Sequence, residues 1–90
     1  MTQPSATIVV NKQDMEALMQ IEAKNFVWDA LNNHSDYKTM ASYIKGQMDF
    51  KYRPNWHVVV GRSFSSYVTY ENRHFIYITA LGTHFLIYKS

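Results

Sequence analysis

The sequence predicts an α+β domain in which two helices pack on an antiparallel β-sheet. A short β-branched run, residues 6–10, comes first, and two stretches with apolar residues at three- and four-residue spacing follow it. After Pro54 the period falls to near two, and four strand-like runs follow with no helical stretch between them. Consecutive strands without crossover helices are typical of antiparallel pairing, and this sets the fold class.

The first helix is predicted to begin at Asp14, whose side chain suits an N-cap, with Glu16 in the first turn where a negative charge favours the helix dipole. It is predicted to end at Asn32 and Asn33, which tolerate left-handed backbone geometry. One apolar face runs along it: Met15, Leu18, Met19, Ala23, Phe26, Val27 and Ala30.

A second helix is predicted to start at Ser35 or Asp36, either of which can cap it. Pro54 ends this helix and pushes Arg53 toward extended geometry. The apolar stripe of the second helix is Tyr37, Met40, Ala41, Ile44, Met48 and Tyr52.

The predicted strands of the second half cover residues 56–60, 63–70, 73–79 and 84–88. Between Pro54 and Glu71 only Arg62 carries a formal charge, so a strand from this region at a sheet edge would do little to repel another chain. Local rules favour a two-residue type II′ hairpin at Gly61 and Arg62, because glycine is the usual first residue of that turn.

Size and composition exclude several classes of protein. Ninety residues make one domain, and a hydrophobic content of 47% excludes a disordered chain. Residues 1–5 are nevertheless predicted to be disordered. The net charge of +2 is scattered, which argues against a nucleic-acid partner. No segment approaches the ~20 apolar residues that span a bilayer, and no leader is recognisable, so we expect no membrane association and a cytoplasmic location.

No catalytic or metal-binding motif stands out. The chain has no cysteine, and the four histidines lack the paired spacings of zinc sites. The carboxylates form no reactive pair, and no phosphate loop, nucleophile elbow or calcium loop occurs. We therefore expect no catalytic residue, no metal, no cofactor and no enzymatic activity.

Several runs of the second half resemble the dynein light chain family, of the small dimeric hub type. They are Tyr52-Arg53-Pro54-Asn55-Trp56-His57, Val60-Gly61-Arg62-Ser63-Phe64, Ser66-Tyr67-Val68-Thr69, His74-Phe75-Ile76-Tyr77 and the closing Tyr88-Lys89-Ser90. The resemblance covers nearly the whole chain as a single domain. It implies a homodimer in which one strand of each protomer, here residues 63–70, crosses to the partner's sheet instead of forming the hairpin that local rules favour.

The resemblance also implies a noncatalytic adaptor that binds short extended segments, containing Thr-Gln-Thr or a related core, by β-strand addition. The partners would be the dynein intermediate chain or other proteins with disordered linear motifs, in a cytoplasmic, cytoskeleton- and microtubule-associated motor complex or on other clients. An alternative is the dimerisation module of a larger protein that carries a calcium-binding EF-hand pair.

The family's site positions correspond to specific residues of this chain. The peptide-binding groove is expected at Phe64, Ser65, Ser66, Tyr67, Val68, Thr69, Tyr70, Phe75 and Tyr77, with Tyr37 and Lys38 at the start of the second helix. The dimer interface is expected at His57, Arg62, Ser63, Phe64, Tyr67 and Thr69, with His57 facing its mate across the dimer axis.

Six positions depart from the common family pattern, and all lie in or near the expected groove. Lys12 replaces an Asn, Tyr37 a Glu, Ser65 a Gly, Tyr70 a His, Thr79 a Tyr and His84 an Ala. Because these side chains would meet the client, the resemblance predicts strand addition more firmly than it predicts which client is chosen.

Overall fold

The protein is described from a computed structural model, which covers residues 8–64 and 68–90. Along the chain the elements are β1 (Ile8–Met15), α1 (Ala17–Asn33), α2 (Tyr37–Tyr52), β2 (Trp56–Gly61), β3 (His74–Ala80) and β4 (Thr83–Lys89). The four strands form one antiparallel sheet in the order β1-β3-β4-β2, which leaves β1 and β2 at its edges. The predicted fold class is confirmed: two helices pack on an antiparallel sheet.

The first strand is longer than the sequence pattern predicted, and the N-cap prediction at Asp14 is wrong. Strand β1 continues to Met15 because every residue from Lys12 onward is paired with β3. Asp14 lies opposite Phe75, and its carboxylate accepts the backbone N–H of Arg73 at 3.1 Å. Helix α1 begins after Glu16, whose side chain makes no capping hydrogen bond. Residues 6 and 7 of the predicted strand lie outside the described residues.

Most of the predicted apolar face of α1 is confirmed, with two corrections. Ala23, Val27 and Ala30 are fully buried, whereas Leu18 is 62% exposed and Met15 belongs to β1. The helix ends at Asn33 as predicted, but the following His34 has a φ of −134°, so the chain leaves the helix in extended and not left-handed geometry.

Helix α2 follows its prediction closely. The Asp36 carboxylate accepts the N–H of Thr39 at 3.3 Å, as an N-cap does, and Met40, Ile44 and Met48 face the core. The helix ends at Tyr52, before Pro54. Arg53 adopts ψ of 152° but a positive φ of 69°, so its predicted extended conformation is only half correct.

The second half contains three strands in the described residues, not four. Gly61 continues β2 opposite His84 and does not have the positive φ of a type II′ turn, so the local hairpin prediction is wrong. The described residues of the 63–70 segment are not in a strand. A tight hairpin occurs later, where Leu81 and Gly82, both with positive φ, join β3 to β4.

The core lies between the helices and one face of the sheet. Trp56, Ile76, Ile78, Phe85 and Ile87 are fully buried there against the helical side chains. No helix in the described parts of the chain is long and apolar enough to cross a membrane.

Candidate functional site

The sheet has a second face, which the helices do not cover, and we call it the open face. Directly opposed residues of antiparallel strands point to the same side, so the register places the open-face side chains in rows. Running from β1 to β2, the rows are Asp14, Phe75, Tyr88 and His57; then Lys12, Tyr77, Leu86 and Val59; then Val9, Thr79, His84 and Gly61.

Aromatic side chains from the segment after β2 lie on the open face. The centroid of the Phe64 ring lies 5.9 Å from that of Tyr77 and 6.2 Å from that of His84. The Tyr70 ring stacks on the Phe75 ring with 4.6 Å between their centroids. Leu86, in the middle of this face, is only 1% exposed. The open face is therefore an apolar surface that has contacts of its own, and it is not a fully solvated sheet face.

Gly61 makes room for the Phe64 ring. A Cβ atom at position 61 would lie 3.4 Å from the Phe64 ring, at the close limit of ordinary van der Waals contact. Because Gly61 is opposite His84, the ring of Phe64 reaches the open face directly above the end of β2.

A chain of polar groups crosses the same end of the face. Asn11 Nδ2 donates to Thr79 Oγ1 at 2.6 Å, and Thr79 Oγ1 is 3.1 Å from His84 Nδ1. The Tyr77 hydroxyl is 3.0 Å from the same nitrogen. Asn11 takes part because the register shifts between Val10 and Lys12, and a bulge of this kind re-aims the side chain of its extra residue.

His57 lies at the far corner of the open face. Its ring is exposed and stacks on that of Tyr88 at 5.1 Å, and its Nε2 is 2.9 Å from the Ser90 hydroxyl. The contact with Tyr88 leaves the imidazole at the surface, where a second molecule can approach it.

The two edges of the sheet differ in charge. Strand β1 carries Lys12 and Asp14 and contains the bulge at Asn11, all of which discourage pairing with another strand. Strand β2 has no charged residue, and its Val59 is 43% exposed on the open face. In the described residues, β1 pairs only with β3 and β2 only with β4, so both outer edges are unpaired and the β2 edge is the one without charged residues.

Four of the residues expected in the groove lie together on the open face: Phe64, Tyr70, Phe75 and Tyr77. Tyr37 and Lys38 instead begin α2 and are exposed, and in the described ranges no hydrogen bond or ring contact joins them to the open face. Within the described part of a single chain, the open-face part of the expected groove is thus not in contact with the part at the start of α2.

The other residues expected in the groove and the dimer interface are exposed, half-buried or outside the described residues. Ser65, Ser66 and Tyr67 lie outside the described residues, while Val68 is half-buried and Thr69 exposed. Arg62 and Ser63, expected at the dimer interface, are exposed. In residues 8–64 and 68–90, no group of three or more histidine or acidic side chains is placed to hold a metal ion.

Sequence reasoning missed the open-face roles of Val59, Leu86 and Tyr88. The alternation along β2 and β4 contained the signal, because these residues alternate with Val58, Phe85 and Ile87, which lie on the core side. Using that signal required the register between the two strands, which only the structure supplies.

Two structures of the dynein light chain-like domain of the Fasciola hepatica calcium binding protein FhCaBP2 share this fold. The mercury derivative has a TM-score of 0.78 and 22% identity, covering 93% of this chain and 92% of that one. The native form has a TM-score of 0.79 and 20% identity, covering 100% of this chain and 98% of that one.

The family model for dynein light chain type 1 matches residues 7–90. The chain therefore belongs to the dynein light chain family.

Proposed function

We propose that the protein is a noncatalytic homodimeric adaptor that binds extended segments of partner proteins by β-strand addition. Its partners are the dynein intermediate chain or other proteins with disordered linear motifs, and its location is cytoplasmic and associated with the cytoskeleton. Family membership supports this function, and the uncharged edge of β2 is the single structural observation that carries it.

An uncharged edge strand next to a partly apolar face is a liability in a monomer, because it offers unpaired backbone groups to any other strand. In the described residues, the segment after Gly61 does not pair with this edge as a hairpin. Residues 63–70 of a second copy are the natural occupant, since they are rich in β-formers and carry no formal charge. Exchange of this segment would cover both β2 edges of the dimer.

The exchanged segment would then offer its other edge to a client. Backbone hydrogen bonds along it would supply affinity that tolerates sequence variation, and pockets for alternate side chains would select among clients. Phe64, Phe75 and Tyr77 would wall these pockets, and the backbone N–H groups at the start of α2, at Tyr37 and Lys38, would donate to a glutamine carbonyl. Two grooves per dimer raise avidity by roughly 10² to 10⁴ when both engage.

Dimerisation can be tested with two matched edge substitutions. Val59→Lys puts a charge on the open face at the β2 edge, while Val9→Lys makes the same change at the β1 edge. Analytical ultracentrifugation should show a dimer for the parent chain and for Val9→Lys, and a monomer for Val59→Lys. A parent chain that sediments as a monomer at all concentrations, or equal behaviour of the two variants, would contradict the proposal.

Client binding needs a separate experiment. Titration with a peptide that bears Thr-Gln-Thr should saturate at one site per protomer, and the amide signals of residues 64–69 should shift in the NMR spectrum. Absence of saturable binding across a panel of glutamine-containing motifs would contradict the adaptor function even if the dimer forms.

The alternative, a dimerisation module of a larger calcium-binding protein, has one observation in its favour. Both solved structures described above are light-chain-like domains of a calcium binding protein. The coding sequence upstream of Met1 distinguishes the two functions, because an EF-hand pair encoded in frame there would favour the module.

A further inference from the structure

Two hydroxyl groups of the polar cluster on the open face meet at a single nitrogen. Two hydroxyl groups, those of Tyr77 and Thr79, lie 3.0 and 3.1 Å from one nitrogen, His84 Nδ1. When Nδ1 carries no proton it has one lone pair and accepts one hydrogen, so the other hydroxyl hydrogen is left over. When Nδ1 is protonated it donates to one hydroxyl, and both hydroxyl hydrogens are left over. At least one donor therefore remains for an outside group in every tautomer.

The two hydroxyls do not satisfy each other, because no hydrogen bond joins Tyr77 to Thr79 in the described residues. Thr79 Oγ1 accepts from Asn11 Nδ2 at 2.6 Å, so its own hydrogen points away from that amide. Tyr77, Thr79 and His84 are half-buried. A hydrogen-bond donor without a partner there therefore costs more free energy than one in bulk water. The cluster is best satisfied by an acceptor that approaches from the open face.

The charge near the cluster favours a negative acceptor. Lys12 lies opposite Tyr77 on the same face and is exposed. In the described residues no carboxylate lies within 4.0 Å of its ammonium group, and the undescribed residues include no Asp or Glu. The acidic residue in the neighbouring row, Asp14, already accepts from the Arg73 backbone and lies 3.9 Å from its guanidinium.

The cluster is also within reach of the segment to which a client would add. The Phe64 ring, which begins that segment, lies 5.9 Å from the Tyr77 ring and 6.2 Å from the His84 ring. The cluster residues themselves belong to paired strands, so their arrangement does not depend on where the 63–70 segment goes.

We propose that Tyr77, Thr79, His84 and Lys12 form a recognition site for a carboxylate, the side chain of an Asp or Glu in the client segment. The inference rests on the proposed adaptor function and names a chemical preference of its groove. Lys12, Thr79 and His84 are three of the six positions at which this chain departs from the common family pattern. The preference would therefore belong to this chain and not to the family as a whole.

The test uses the full chain and a panel of peptides that share a Thr-Gln-Thr core. Each flanking position in turn carries Glu, Gln or Leu, so that charge is separated from shape and from hydrogen bonding. Binding is measured by calorimetry for the parent chain and for two cluster variants, Lys12→Gln and Thr79→Val. The matched control is Lys24→Gln, which makes the same charge change on α1, an element on the other side of the sheet.

One flanking position should prefer Glu to Gln by about 3- to 10-fold, the range for a charge-assisted contact at a partly exposed site. Lys12→Gln and Thr79→Val should each reduce this preference, because both variants should weaken binding of the Glu peptide more than binding of the Gln peptide. Lys24→Gln should leave the preference unchanged.

The outcomes separate this inference from the adaptor function. Peptides that bind without a Glu preference at any position overturn the carboxylate site and leave the adaptor function standing. A Glu preference that persists in both cluster variants also overturns the carboxylate site, because other residues would then recognise the charge. If no peptide binds, the adaptor function fails and the carboxylate site fails with it.

Discussion

The Asp49 carboxylate of α2 accepts the backbone N–H of Trp56, the first residue of β2, at 2.9 Å. Its second oxygen accepts from the Lys45 ammonium at 2.6 Å, so one side chain joins the helix surface to the start of the edge strand. Trp56 is fully buried, and this contact fixes where the chain enters the sheet after Pro54. The bond therefore positions the β2 edge on which the proposed dimerisation depends.

Asp49→Ala should lower the free energy of unfolding by about 1.5 kcal/mol, because it removes a hydrogen bond between a charged group and a part-buried backbone N–H. Lys45→Gln is the matched control: it removes only the helix-surface ion pair, and such pairs contribute at most about 0.5 kcal/mol. Urea unfolding at neutral pH measures both. Equal losses in the two variants would show that the ion pair, not the contact with Trp56, carries the effect.

The pH dependence of this contribution has a definite sign. Burial raises the pKa of Asp49, but the Lys45 ammonium and the Trp56 N–H lower it by more, so the net pKa is below its usual 3.8. A lowered carboxyl pKa gives stability that is present above the unfolded value and lost as pH falls through the folded one. The difference between parent and Asp49→Ala should accordingly shrink in acid.

Leu81→Asn should stabilise the β3–β4 hairpin. Leu81 has a φ of 51°, which is strained left-handed geometry for leucine. Its side chain is 61% exposed, so little apolar burial offsets this strain. Asn tolerates this conformation far better, and Asn-Gly is a preferred pair for such turns. We expect a gain of about 1 kcal/mol in unfolding free energy. Leu81→Val is the control, and it should destabilise because a β-branched residue fits positive φ poorly.

The hydroxyl of Tyr52 should make stability fall at alkaline pH. Burial and the hydrogen bond to Glu22 raise the pKa of Tyr52 to about 12. Because the folded state favours the neutral phenol, this stability is present below the unfolded value of about 10 and is lost as pH rises toward 12. Tyr52→Phe should remove that alkaline loss and cost about 1 kcal/mol at neutral pH.

Urea unfolding at a series of pH values measures the effect, with Tyr37→Phe as the control. The Tyr37 hydroxyl makes no hydrogen bond within the described residues, so its removal should leave the alkaline slope as in the parent. If Tyr52→Phe has the same alkaline slope as the parent, the Glu22 contact does not persist in solution.

Local patterns predicted the elements of the fold better than the junctions between them. The stripes of α1 and α2 followed from helical periodicity, and Asp36 and Pro54 marked both ends of α2. The start of α1 was wrong because Asp14 is a good cap in isolation, whereas pairing of β1 with β3 as far as Met15 holds it in a strand. Pairing between β1 and β3 therefore outweighed the local preference of Asp14 for an N-cap position.

The candidate site needed information that no local pattern contains. The family resemblance supplied Phe64, Phe75 and Tyr77, and the structure places their side chains on one face. It could not supply the contact of Asn11 with Thr79, because a bulge in β1 creates it, nor the meeting of two hydroxyls at His84, which depends on the β3–β4 register.

A final prediction concerns His57 and rests on the proposed dimer, in which its two copies face each other. His57→Lys puts two like charges into a partly desolvated contact, where they repel. This variant should therefore be monomeric, whereas His84→Gln should remain a dimer, since His84 lies four strand positions away beside Gly61. Sedimentation velocity at neutral pH measures this. A dimer that persists in His57→Lys would show that His57 does not face its mate.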